Sequence, residues 1–176
     1  RDQEIKNTSI SFFDIIQKNK EDLIDLETLI DEDNFFSVLS KLKLIQININ
    51  KKNYSYSREL YKELIFSSDL NPLYKSAIAA HASYTFIDAS YYKKSDIYLN
   101  DISTFINNIN DELDGYFSIK KELEYLLIVT EIDLNKSQYD NNSIVLDKYN
   151  EIFNSSLVSA SIKERVKKIH EFQLYK

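Results

Sequence analysis

The side chains that do most enzyme chemistry are few in this chain. Its 176 residues include two histidines, His81 and His170, and no cysteine. A thiolate zinc site, a cysteine nucleophile and a disulfide scaffold are therefore excluded. The two histidines lie far apart in sequence, and neither sits in an H-E-x-x-H spacing. His81 falls among Ala77, Ala80 and Tyr84 in a helical pattern, which reads as a core-edge or groove position rather than a metal ligand or a general base. The segment "NDELDG" (Asn110 to Gly115) imitates a calcium loop, with Asn110, Glu112 and Asp114 at alternate positions. The twelfth position must supply a bidentate Glu, but here it is Lys121, and Glu122 comes one residue late. A turn with Gly115 in the left-handed region is the better reading. Carboxylate pairs such as Asp31/Asp33 and Asp22/Asp25 have no apolar surroundings to raise a pKa for acid catalysis, so they read as solvated. A single glycine rules out the nucleophile-elbow, phosphate-loop and dinucleotide-binding motifs. The expectation is a chain with no catalytic residues, no cofactor and no metal.

Composition narrows the class. A net charge of −6 argues against a general nucleic-acid binder, which would be basic. The one basic run, "KERVKK" (Lys163 to Lys168), reads as the solvated face of a helix. With 13 Tyr and 10 Phe the chain is too aromatic for extended disorder, and one Gly and one Pro suit helices rather than β-rich folds. The longest apolar run, "YLLIV" (Tyr125 to Val129), is far short of the roughly 20 residues of a membrane span. The chain begins at Arg1 rather than Met, so a fragment is expected, with any signal or membrane anchor upstream of it.

The elements that position these residues follow from apolar periodicity. Phe12, Ile15, Ile16, Leu23, Leu26, Leu29 and Ile30 predict a first helix over about 9–31, bent near Asn19. "DEDN" (Asp31 to Asn34) breaks it and offers an N-cap. Further helices are predicted over about 35–49, 54–67, 72–88, 92–109, 116–135, 142–154 and 159–174. "IQINI" (Ile45 to Ile49) alternates like a strand, but a lone strand would lack a partner, so it stays helical. The small residues of "SAIAAHAS" (Ser76 to Ser83) permit close helix packing and place that helix at the centre of the stack. A polar turn, a Tyr and a second helix recur: Tyr54 and Tyr92 stand 38 residues apart, and Tyr139 opens a third copy, with Tyr149 in the place of Tyr61. A helical hairpin recurring at such a spacing predicts an α-solenoid, because one hairpin cannot bury its apolar face alone.

"NKKNYSYSRELYKELI" resembles a tetratricopeptide repeat, with a Tyr just after the turn and Ser57 in the place of the usual Ala. Residues 34–155 are similar in order and spacing to the YfgM family, through "FFSVLSKLKLIQININKKNYSYSRELYKELI", "NPLYKSAIAAHASYTFID" and "KKELEYLLIVTEIDLNKSQYD". Rickettsial membrane-anchored proteins of the same build are also similar. Where the family has small or Gly positions, this chain has Ile45, Ser83 and Thr130, and the turn Gly is Lys52 or Ser137.

The family's members are ancillary subunits of the SecYEG translocon, anchored in the inner membrane with the repeat domain facing the periplasm. Length, composition and the repeat predict a single all-α domain over 1–176, built as a right-handed α-solenoid. Residues 1–33 are expected to form an N-terminal cap, 34–155 three tetratricopeptide-like hairpins, and 156–176 a C-terminal cap. The resemblance implies that the first helix of each hairpin lines a concave surface. On the repeat alignment Gln46, Asn50, His81, Tyr84, Asp88, Glu131 and Asn135 face that groove. Their mixed polar and aromatic chemistry suits a protein or peptide partner. The alternative is an oligomeric scaffold whose exposed aromatics pack against another copy.

Overall fold

The computed structural model describes residues 2–17, 26–30, 34–67 and 69–176. Every regular element among them is a helix: α1 (Asp2–Gln17), α2 (Phe35–Asn50), α3 (Tyr54–Phe66), α4 (Pro72–Lys93), α5 (Leu99–Asn107), α6 (Tyr116–Asn135), α7 (Ser143–Asn154) and α8 (Ala160–Leu174). "IQINI" lies inside α2, where a helix satisfies its backbone locally. Among the described residues no helix is long and apolar enough to cross a membrane. Two compact units divide the chain, 1–68 and 69–176.

In the first unit α2 and α3 form a hairpin and α1 packs on α2. The helix predicted over 9–31 instead begins at Asp2, and 28–30 form a turn. Asp2 and Glu4 in its first turn complement the positive end of the helix dipole. The predicted bend near Asn19 lies outside the described residues. Asn34 supplies the expected cap, its Oδ1 accepting from the backbone N–H of Phe36 at 2.9 Å and of Ser37 at 3.3 Å. Phe12 meets Phe36 at a ring-centroid distance of 6.0 Å, while Leu44, Ile45, Leu60, Tyr61, Leu64 and Ile65 fill the core of the hairpin.

In the second unit α4 packs against α5 and α6, and α6 packs in turn against α7 and α8. Pro72 opens α4 with Asn71 as its cap, Oδ1 accepting from Leu73 N–H at 2.8 Å. Ala79, Ala82, Ser83, Ala89 and Ser90 are fully buried, as small residues on a helix that touches two others should be. The open ends of the two hairpins are closed alike. Ser76 Oγ on α4 accepts from Asn110 N–H at 3.0 Å, and Ser118 Oγ on α6 accepts from Ser159 N–H at 2.9 Å. Gly115, at φ +79°, takes the left-handed conformation expected for the "NDELDG" turn.

The hairpin turns carry the clearest regularity. Among the described residues Lys52, Lys94 and Lys136 are the non-glycine residues with positive φ, at 60°, 50° and 52°, and they recur every 42 residues (52, 94, 136). Each terminates the first helix of a hairpin in the same hydrogen-bond pattern. The lysine N–H reaches back three residues, to Ile49, Tyr91 and Asp133 carbonyls. The next residue, Asn53, Ser95 or Ser137, donates five residues back to Asn48, Ser90 or Ile132. This is the Schellman motif, with lysine where glycine is usual. One tyrosine shortly after each lysine is buried: Tyr54, Tyr98 and Tyr139.

The repeat register therefore differs from the predicted 38. Tyr92 does not open a second helix. It sits in the last turn of α4 and is 58% exposed, and α5 begins only at Leu99. The helix predicted over 72–88 continues to Lys93 because nothing stops it before the left-handed lysine.

Candidate functional site

Three polar ties join helices within the second unit, the first two linking α4, α6 and the C-terminal segment from α8. In the first, Glu122 on α6 is 3% exposed and accepts three hydrogen bonds. Arg165 on α8 donates through Nε to Oε1 at 2.7 Å and through Nη2 to Oε2 at 2.6 Å, and Tyr84 on α4 donates to Oε2 at 2.6 Å. A bidentate guanidinium and a phenol together satisfy a carboxylate that would otherwise be costly to bury. Burial, and then its hydrogen bond to Glu122, push the Tyr84 phenol far up; Arg165's own hydrogen bonds to Glu122 push its pKa up.

In the second tie, Asp133 near the end of α6 accepts from Tyr91 at 2.9 Å, from Gln173 at 3.0 Å and from Lys176 at 2.7 Å. Burial pushes the Tyr91 hydroxyl up to about 12. The third tie runs through the turn between α6 and α7. Tyr125 and Tyr139 hydroxyls lie 2.6 Å apart, and Tyr139 is 2.8 Å from Nδ1 of His170. The imidazole stacks on Tyr149 of α7, centroids 3.8 Å apart at 15°. Burial raises both phenols and lowers His170. Beside these, Lys121 and Lys148 bracket Glu124 and Glu151 across α6 and α7, with the shortest contact 2.7 Å from Lys121 to Glu151.

These groups serve each other. Glu122 and Asp133 are acceptors filled by cations and phenols, and His170 Nδ1 is occupied by Tyr139. They position the helices of the second unit. Among the described residues no cluster of three or more metal-ligating side chains is present.

The residues expected to face a partner have different fates. Gln46 and Asn50 are exposed on α2 in the first unit, with Gln46 Oε1 accepting from Lys43 Nζ at 3.1 Å. In the second unit His81 and Asp88 are exposed on α4, but Tyr84 is half-buried and committed to Glu122. Glu131 and Asn135 come together at the rim of an open cavity of about 200 Å³ between α6 and the start of α7. A second cavity of about 430 Å³ lies on the other side of the same turn, against Asp133, Tyr139 and Gln173.

Glu122, Asp133, Tyr125, Tyr139 and His170 were not singled out from sequence as parts of a site. Apart from the Tyr125–Tyr139 pair and the stack of His170 on Tyr149, their ties link residues 31 to 43 positions apart, beyond any local pattern. Compared with known proteins, the chain matches no family model, no curated protein and no solved structure.

Proposed function

We propose that the chain is a non-catalytic protein-interaction module, a right-handed α-solenoid of tetratricopeptide-like hairpins that offers its first helices to a protein or peptide partner. The observation that carries this reading is the division of labour within hairpins. The tyrosines that follow the turns are buried, whereas Gln46, Asn50, His81, Asp88, Glu131 and Asn135 are exposed on the first helices α2, α4 and α6. The 42-residue turn period supports a hairpin repeat, as it falls within the range of helical solenoids. The outer face of α8, with Glu164, Lys167, Lys168 and Glu171 exposed, has the polar character of a capping helix.

On the sequence likeness to the YfgM family alone, the module is the periplasm-facing domain of a membrane-anchored bacterial protein that acts near the Sec translocon or in envelope protein maturation. The test is affinity capture after in-cell crosslinking. Changing His81 and Asp88 together to Ala should lose most captured protein, and an unchanged set of partners would sink the reading. The alternative, a scaffold that pairs with another copy, is favoured by exposed Tyr92 and Ile97 at the edge of the second hairpin. Light scattering separates the two: a stable dimer that loses its contact when Tyr92 and Ile97 become Ser supports the scaffold.

A further inference from the structure

The far half of α8 is held by little apolar packing. Ile162 and Val166, the buried residues of this helix, both lie in its first half. Beyond them Ile169 is partly buried against the core, while Phe172 and Leu174 are exposed. The polar ties of that half run from His170 to Tyr139, and from Gln173 and Lys176 to Asp133. Gln173, Leu174 and Lys176 also form one wall of the open cavity of about 430 Å³, and Ile132, Asp133 and Tyr139 stand in the opposite wall. The far half is thus placed as a lid on that cavity, pinned at its base by His170.

The pin has a direction. Tyr125 is fully buried, and among the described residues its hydroxyl has Tyr139 as its hydrogen-bond partner, 2.6 Å away. Its proton must point at the Tyr139 oxygen, because a buried O–H without an acceptor is costly. The Tyr139 proton must then point at Nδ1 of His170, 2.8 Å away. Nδ1 is therefore the bare nitrogen, and the ring proton sits on Nε2. A second proton on the ring fills Nδ1. Three protons, from Tyr125, Tyr139 and Nδ1, then compete for two contacts, and one of them is left without an acceptor.

The groups around the ring decide how it responds to acid. Tyr125 from α6, Tyr139 from the turn and Tyr149 from α7 are phenols, neutral at and below pH 7. The Tyr149 face and Glu171 on the same helix favour an imidazolium, but burial outweighs Glu171. Asp133 of α6 meets α8 about one turn further on, through Gln173 and Lys176. We propose that mild acid opens this lid: protonation of His170 releases the far half of α8, about residues 167–176, and uncovers Ile132 and Tyr139 in the cavity wall. Val166 and the bidentate pair of Arg165 with Glu122 keep the near half docked. The opening is local because the proton is added where apolar packing is thinnest.

The test is amide hydrogen exchange of the whole chain at neutral pH and at about pH 5, corrected for the intrinsic effect of pH on exchange, together with ring-nitrogen spectra of both histidines. Protection over 168–174 should fall about tenfold in acid, while Ile162, Val166 and α6 keep theirs. At neutral pH His170 should carry its proton on Nε2. Tyr139→Phe removes the donor to Nδ1. It should free the tautomer, raise the ring's pKa and leave the far half equally poorly protected at both pH values, with exposed His81 unchanged in its spectrum. His170→Asn sets Oδ1 where Nδ1 stands and does not titrate, so the acid loss should vanish; this variant decides the matter if the first misfolds. A far half that stays protected in acid, a proton found on Nδ1 at neutral pH, or an acid loss that His170→Asn retains would each overturn the proposal. Equal loss of protection in α6 and α8 would do the same, since it reports global unfolding instead of a lid. None of these outcomes bears on the interaction-module reading, which the capture experiment tests.

Discussion

A lysine with positive φ gives up roughly 1 kcal/mol to the clash of its Cβ with the following carbonyl, and this chain accepts that cost at each hairpin turn. Part of it is returned by the cation, which sits at the negative end of a helix dipole. Lys94→Gly should therefore stabilise the fold by up to about 1 kcal/mol, a rise of roughly 2–4 °C in melting temperature for a chain of this size. Lys94→Val, β-branched at the same φ, should lower it by more. Thermal unfolding followed by circular dichroism measures both, and a Gly variant less stable than the Val variant would show that the backbone of the turn is not strained as described. The turns were legible in the sequence, as Lys51-Lys52-Asn53, Lys93-Lys94-Ser95 and Asn135-Lys136-Ser137 recur at 42 residues. The signal is easily missed, because glycine is what a reader looks for at a helix end, and the family likeness marks Lys52 only as a departure.

Helix existence was far more legible than helix ends. Apolar periodicity located α2, α3, α6, α7 and α8 to within about a residue at each end, because burial on one face constrains every third or fourth position, but misplaced one or both ends of α1, α4 and α5. The boundary between α4 and α5 was missed because "DASYYKK" contains no helix breaker, so the stop depends on a backbone conformation instead of a residue type. The ties of α8 were illegible for a different reason. Glu122 reads locally as a calcium ligand one position late, and only folding brings Arg165 and Tyr84 to it. His170 likewise acquires its role from Tyr139 and Tyr149, with Glu171 the nearby charge on its own helix and Tyr125 behind Tyr139. Burial holds its pKa below 6.5, so the unfolded chain takes up a proton first as pH falls. The stability His170 contributes is whole above about pH 6.5 and is lost as pH drops through the lower, folded value. His170→Phe keeps a ring on Tyr149 and removes the nitrogen that bonds Tyr139. It should cost about 1 kcal/mol at neutral pH. Urea titrations at neutral and mildly acidic pH should then show a smaller acid loss than in the parent, and an equal loss in both would place the acid sensitivity elsewhere.

At the scale of the molecule, the second unit ties its helices with phenols as well as with apolar packing. Tyr84, Tyr91, Tyr125 and Tyr139 all have raised pKa values, chiefly from burial, and all four also bond to another side chain across helices or turn. A phenol whose folded pKa is raised stabilises fully below the unfolded value, near 10, because both states then hold the proton. Above that value the unfolded chain ionises first, so stability falls as pH climbs toward the folded values, about 12 for Tyr91. Exposure of Tyr91 discounts its own share, since solvent screens the interaction. The unit should therefore be alkali-labile. Its denaturant midpoint should hold steady to about pH 10 and then drop, with a steeper tyrosinate absorbance rise on unfolding than a sum of independent phenols gives. The absence of tryptophan leaves that absorbance uncluttered. Tyr84→Phe removes a raised phenol while keeping its ring, so it should lessen the drop. A midpoint that holds well above pH 10, or a drop the Phe variant leaves untouched, would mean that these hydroxyls do not bind the helices together.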